Sequence, residues 1–461
     1  MELLDATIVN TAVPTMATAL QVAPLSLKTV LTSYTLALAV FIPVSGWMAD
    51  RFGTRQVFAT AVAVFLVGSL ACGLSVNVPM LVASRLLQGA GGAMMTPVGR
   101  LVLVRTFPRS EYIRAMNYVV IPSLIGPLVG PLVGGVLVHW VHWRAIFFLN
   151  LPLGLTGLWL IRQHMPDYRA AHVAPLDKRG FLLFGVGIAL LSHVLEVFSE
   201  HDWNPGPTTA ASLGAVVLLL AYGRHARRLA EPILHLELFR VRTFRSSVVG
   251  GFVTRLGIGG MPFLLPLLYQ LVLGFTPWQA GLLMVPQAAA AMLMKLLSAR
   301  VLRLFGYRRV LVVNTILLGA TIAAFSLVHP GTSVAAILGL SLCQGFFSSL
   351  QFTSMNSLVF ADVGDEQASK ASTIFSTGQQ LSLSFGVAVS SLVVALFIYL
   401  SGGHPGEPGV LEGPLHEAFV ALGFLTSLSA AYFALLRPDD GSNVSHHKPR
   451  AAVRRPAHAE A

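Results

Sequence analysis

Apolar stretches of about 20 residues recur along nearly the whole chain, the length that a bilayer selects. They lie around 3–20, 27–49, 57–76, 79–104, 113–138, 145–165 and 180–198, then 209–229, 246–272, 278–300, 308–328, 333–358, 372–399 and 415–436, fourteen in all. In hydrocarbon every backbone N–H and C=O must find its partner within its own segment, so each stretch predicts a helix. Composition agrees: of 461 residues 54% are hydrophobic and 11% charged, far from the balance of a soluble domain. The expected fold class is an all-α integral membrane protein with fourteen transmembrane helices.

Charge supplies an independent check on that count. The formal net charge is +11, which raises nucleic acid as a partner, but the cations form no basic helix face. They fall in alternate short loops, among them Arg51, Arg55, Arg105, Arg162, Arg227, Arg228, Arg303, Arg308 and Arg309, and in the C-terminal stretch. The opposite loops hold only Lys28 and Arg144. The positive-inside rule then places the basic loops and the C-terminus in the cytoplasm. Cys72 and Cys343 stand alone inside apolar stretches, and His139 and His142 flank Trp140 in an interfacial aromatic loop. Neither arrangement supports a metal or redox site. No basic n-region or cleavage pattern marks a secretory signal.

Within the first stretch, Leu4-Asp5-Ala6-Thr7-Ile8-Val9-Asn10 places a carboxylate in hydrocarbon. That costs roughly 2.5–3.5 kcal/mol on insertion scales, so the acid needs a function or a partner. It either handles a proton or merely orders neighbouring helices. Arg85, in Arg85-Leu86-Leu87-Gln88-Gly89-Ala90-Gly91-Gly92, must satisfy its guanidinium inside the fourth stretch. Arg255, Gln344 and Gln351, together with Asn10 and Gln88, are the remaining candidates for lining a cavity.

Two further signals concern organisation. Arg51-Phe52-Gly53-Thr54-Arg55-Gln56-Val57 after span two is echoed by Leu304-Phe305-Gly306-Tyr307-Arg308-Arg309-Val310 after span ten. Parallel halves of six helices place these loops equivalently, with spans seven and eight inserted, and repeats of this kind carry a site where the halves meet. The boundaries expected are a six-helix bundle over 1–165, inserted helices over 166–242, a second bundle over 243–436 and a disordered basic tail over 437–461. In span five, Gly126-Pro127-Leu128-Val129-Gly130-Pro131-Leu132-Val133-Gly134-Gly135 combines close-packing glycines with helix-bending prolines.

These motifs, with Gly46-Trp47-Met48-Ala49-Asp50-Arg51-Phe52-Gly53-Thr54-Arg55 and Trp143-Arg144-Ala145-Ile146-Phe147-Phe148-Leu149-Asn150, resemble the fourteen-helix drug:proton antiporters of the major facilitator superfamily. The resemblance covers nearly the whole chain. It implies proton coupling through Asp5 and Arg85, and a gating loop of Gly46, Asp50, Arg51, Gly53 and Arg55. In that loop Asp50 would face the N-terminus of a helix in the opposite half. Gly126, Gly130, Pro131, Gly134 and Gly135 would form the motif of exporters rather than importers. Implied with these are small amphipathic substrates, alternating access, no cofactor and a monomeric functional unit in the bacterial inner membrane. Periplasmic or outer-membrane efflux partners are compatible with the class. A specific metabolite carrier of the same fold is the alternative. A membrane enzyme lacks any nucleophile–base cluster or polar catalytic loop.

The helix-one motif begins almost at Met1, whereas in the family it follows several residues of apolar helix. The expectation is a natural start upstream. In-frame codons before Met1 should encode apolar residues; a stop codon or a polar segment there would remove the expectation.

Overall fold

The computed structural model describes all residues except 201–204, 365–366, 403–410, 446 and 448–461, and omits the side chains at 109–110, 112–114, 116–117, 120–124 and 199–200. Every expected stretch is helical. In chain order the helices are α1 (Glu2–Leu20), α2 (Lys28–Phe52), α3 (Thr54–Gly73), α4 (Val78–Thr106), α5 (Arg109–Trp140), α6 (Ala145–His164), α7 (Lys178–Glu200) and α8 (Pro205–Ala226). There follow α9 (Arg242–Val272), α10 (277–305), α11 (307–324), α12 (Val334–Leu358), α13 (Ala368–Leu400) and α14 (Glu412–Phe433). Among the described residues, ten helical runs are long and apolar enough to cross a membrane, one of them spanning both α10 and α11.

The repeat seen in sequence is a repeat in structure. Gly53 and Gly306 both take positive φ, 99° and 72°, and break the chain between paired helices; glycine adopts that region without a Cβ clash. Each break is covered by the segment leaving its own bundle. After α6, the Arg55 amide donates to Asp167 Oδ1 at 3.0 Å and Thr54 Oγ1 donates to the Pro166 carbonyl at 3.2 Å. After α14, His447 lies against Gly306, its Nδ1 2.9 Å from the Arg303 carbonyl oxygen. Asp440 forms an ion pair with Arg242, and Asn443 donates to the Ala361 carbonyl. Residues 437–445 and 447 are therefore packed, which shortens the expected disordered tail; the rest of it lies outside the described residues.

The first helix of each half is irregular. Pro14 has no N–H to return to the Asn10 carbonyl, and α1 passes through a 3-10 turn at Asn10–Ala12. In α9, π turns at Ser246–Gly250 and Leu268–Val272 flank the stretch containing Pro262 and Pro266. The two breaks meet across the bundles: Gln270 Nε2 donates to the Thr11 carbonyl at 3.0 Å.

Core packing is unequal at the two ends. Towards the turns at 21–27, 141–144 and 273–276, a single core joins the halves, uniting Met16, Leu27, Val138 and Phe147 with Met261, Tyr269, Leu283 and Phe419. Towards the basic end two cores are each confined to one bundle. Ala49, Val57 and Val98 pack within the first bundle; Met294, Leu302, Tyr307 and Phe433 pack within the second. A third core lies along the α2–α13 seam, where α7 and α8 contribute Phe184 and Tyr222 beside Ala39 and Phe375.

The glycine-proline motif of α5 explains how the joined end closes. Gly126, Gly130 and Gly134 face α1, where a Cβ would meet Leu4, Thr7 and Ile8; Gly135 faces α10 across the bundle boundary, against the Pro277 carbonyl. Gly281 of α10 returns the contact against the Pro131 carbonyl. Gly135→Val should therefore leave each bundle folded but hold the joined end apart. Alkylation of a cysteine placed at Leu31 should rise in that variant, and unchanged labelling would show that the contact does not close this end.

Candidate functional site

The fully buried Asp5 carboxylate of α1 is held by side chains of α4 and α6. Arg85 Nη1 from α4 donates to Asp5 Oδ2 at 2.5 Å, Gln88 Nε2 donates to Oδ1 at 2.9 Å, and Asn150 Nδ2 from α6 donates to Oδ1 at 2.7 Å. Neither Asp5 nor Arg85 exceeds 1% side-chain exposure. Arg85 and Gln88 lie one turn apart on α4, so both reach the acid, and Arg85 Nη1 also donates to Gln88 Oε1 at 2.7 Å. The guanidinium donates through Nε to the Val30 carbonyl at 3.3 Å and lies 4.2 Å from the Tyr34 ring centroid. Asn150 is itself held by Ser69 Oγ of α3 at 3.0 Å, and Ser69 donates to the Phe147 carbonyl.

The expected pair, Asp5 and Arg85, is thus in contact, and Gln88 belongs with it rather than standing free as a cavity candidate. Sequence reasoning gave Asn150 no role. Its signal was a lone amide in the apolar run Phe148-Leu149-Asn150-Leu151, where a polar side chain needs a partner.

The other candidates separate by whether their polar atoms are used. Asn10 is buried in the 3-10 turn of α1. Gln351 is committed, accepting from Asn314 Nδ2 and donating to Thr315 Oγ1, each at 2.8 Å, so it ties α12 to α11. Gln344 is fully buried with both amide atoms unpartnered. Arg255 of α9 is 1% exposed, and its Nε and Nη2 have no hydrogen-bond partner. Its guanidinium carbon lies 5.2 Å and 5.0 Å from the ring centroids of Phe352 and Phe375.

The gating loop differs from expectation at Asp50. Its carboxylate pairs with Arg105 of α4 at 2.6 Å, within its own bundle, rather than with a helix of the opposite half. Arg105 stands on a neighbouring helix of the same bundle, and this nearer cation takes the acid. Trp47 Nε1 donates to the Ala174 carbonyl at 2.9 Å, tying the loop to the segment after α6. Arg51 and Arg55 are exposed, and a Cβ at Gly46 would meet open space.

Among the described residues, His329, Glu412 and His416 have ligand atoms within 4.8 Å of one another, a spacing that a metal ion could draw together. They lie at the joined end, His329 in the turn before α12 and Glu412 and His416 in the first turns of α14.

A fourteen-helix chain with repeated halves and a buried carboxylate–guanidinium pair is a membrane transporter of a recognisable class. The Major Facilitator Superfamily model matches residues 1–387 and 248–459, and the chain belongs to that family. It is 38% identical over 453 residues to a protein of Escherichia coli O127:H6 that carries the name multidrug resistance protein MdtD, covering 96% of this chain and 94% of that one. A Cronobacter sakazakii protein of the same name is 39% identical over 451 residues, covering 95% and 93%. Two solved structures share the fold. A bacterial homologue of the human lysosomal transporter Spinster, inward-facing and unoccupied, has TM-score 0.68 at 15% identity, covering 98% of this chain and 96% of that one. A D-xylose–proton symporter has TM-score 0.67 at 14% identity, covering 96% of each. The chain is a transporter, not an enzyme.

Removing one partner of a buried ion pair costs about 3–5 kcal/mol, because the other charge is left unpaired. Arg85→Met alone should lower the melting temperature markedly, and Asp5→Asn added to it should restore most of the loss. A double variant no more stable than Arg85→Met would show that the two charges are not coupled.

Proposed function

We propose that the protein is a proton-driven antiporter that exports small amphipathic compounds from the cytoplasm across the bacterial inner membrane, working as a monomer without a cofactor. The observation that carries this reading is the shielded Asp5 carboxylate, held by Arg85, Gln88 and Asn150 where α1, α4 and α6 converge. A protonated Asp5 no longer holds the guanidinium by charge. Arg85 and Asn150 are then free to re-pair, so one proton changes the contacts among three helices. The α5 glycines close against α1 along this same stretch, which links that change to the bundle boundary.

The basic end, where the core at Ala49, Val57 and Val98 is separate from that at Met294, Leu302 and Tyr307, corresponds to the cytoplasmic side under the positive-inside rule. With the opposite end joined, this arrangement is the inward-open member of an alternating-access pair. Rocking the halves would separate Gly135 from Pro277 and bring the Asp50 loop towards the second bundle. One proton moving down about 100 mV supplies ~2.3 kcal/mol, equivalent to about a 50-fold gradient of a neutral substrate at one-to-one exchange. Export rather than import rests on the glycine-proline motif of α5 and on the relatives' names.

Everted vesicles carrying the protein and a pH-gradient dye provide the test. Amphipathic substrates should collapse the gradient, Asp5→Asn and Arg85→Ala should abolish that collapse, and both variants should still insert in the membrane. Wild-type collapse in either variant would reject the assignment.

A further inference from the structure

The two halves treat equivalent polar positions in opposite ways. Asn77 caps α4 by accepting from the Met80 amide, and Ser333 caps α12 by accepting from the Ala336 amide, the same offset of three residues. Counted from these caps, Gln88 and Gln344 both stand eleven residues along, 88 minus 77 and 344 minus 333. Gln88 is satisfied by Asp5 and Arg85, whereas neither amide atom of Gln344 has a partner. The leading helices differ in sign as well: α1 carries Glu2 and Asp5, whereas α9 carries Arg255 and no acid within its apolar part. Among the described residues no carboxylate pairs with Arg255. The first bundle therefore closes its charge network internally and the second does not.

A buried guanidinium is costly unless it is paired and hydrogen-bonded, and a hydrophobic side chain of similar size would serve packing better. Phe352 and Phe375 offset part of the cost through their ring faces, but ring faces leave the N–H donors unused. Gly251 provides the space: a Cβ there would sit 2.8 Å from Arg255 Nη1. Along α12, Gln344 lies two turns from Phe352 towards the joined end, and Ser348 between them is also unpartnered. Donors without acceptors, faced by aromatic rings, have the chemistry to receive a planar anion attached to an apolar body. Arginine's forked donors suit carboxylate or sulfonate groups.

We propose that Arg255, with Gln344 outward of it and the rings of Phe352 and Phe375 around it, is the anion subsite of the second bundle, and that the exported compounds are amphipathic organic anions. The assignment rests on the transport reading above and gives that reading a substrate class. The Arg255 guanidinium is already buried without a carboxylate beside it, so an arriving carboxylate supplies an acceptor without requiring a new cation to be buried. The division of labour follows the halves: Asp5 takes the proton in the first bundle and Arg255 takes the anion in the second.

The test uses the full chain purified in detergent and four probes of one shape: 1-naphthoate, 1-naphthalenesulfonate, 1-naphthamide and 1-naphthylmethylammonium. Ligand-induced thermal stabilisation should be confined to the two anions. It should survive in Asp5→Asn and in Arg255→Lys, with some weakening in the latter. Arg255→Met should weaken the apparent anion affinity by about tenfold or more, the size of losing a charged hydrogen-bond partner. Without ligand, Arg255→Met should melt above the wild type, because an unpaired buried charge has been removed. The proposal is overturned if Arg255→Met binds anions as the wild type does, or if the unliganded variant melts below it. It is equally overturned if the neutral or cationic probe stabilises as well as the anions, or if neither anion stabilises the wild type. Asp5-dependent gradient collapse by cationic compounds alone would reject the anion subsite and leave proton antiport standing. Anion binding with transport insensitive to Asp5→Asn would do the reverse.

Discussion

The contact on which the first bundle depends is the Asp5–Arg85 ion pair. A lone carboxylate or guanidinium at this depth would be expelled or neutralised, so each justifies the burial of the other. Their geometry recruits the rest. Gln88 lies one turn from Arg85 and closes the second carboxylate oxygen with Asn150; Asn150 is fixed by Ser69; Tyr34 covers the guanidinium face. Helices α1, α2, α3, α4 and α6 are registered to one another by this cluster, which apolar contacts alone would not do in lipid, where packing lacks a hydrophobic drive.

The close approach of α5 to α1 depends on the same register. Three glycines at four-residue intervals let the helices meet along the stretch that holds Asp5, and the next glycine turns to the other bundle. A change in the ion pair and a change at the bundle boundary are therefore separated by a single helix thickness. Irregular backbone also meets across the bundles, the 3-10 turn of α1 and the second π turn of α9 touching through Thr11 and Gln270. The loops at the basic end are held within their own bundles, Asp50 by Arg105 and Gly306 by His447.

Much of this was legible in the chain. Fourteen apolar stretches and the alternation of arginines between loops define helices and their order, and all fourteen are helical. The motif around Arg51 and its echo at Arg308 correctly announced paired breaks at Gly53 and Gly306. The site was legible only by type. An acid and an arginine in apolar spans must find partners, but four candidates of similar appearance in sequence met different fates. Gln351 became a tie between α11 and α12, Gln88 joined the ion pair, and Gln344 and Arg255 kept free donors. Asn150, the third donor to Asp5, went unassigned because one amide in an apolar run does not say which helix it will face.

The sequence by itself determined the solvent, the number of helices, their order and the pseudo-repeat, because those follow from segment length, hydropathy and loop charge, which are local quantities. Only the tertiary structure decided which buried polar groups meet, which end of the bundles is joined, and that Asp50 pairs within its own half. The physical reason is that hydrogen-bond and ion-pair partners lie far apart in sequence, Asp5 with Arg85 and Asn150, Thr11 with Gln270. Rotation and register of whole helices select such partners, and hydropathy does not encode them.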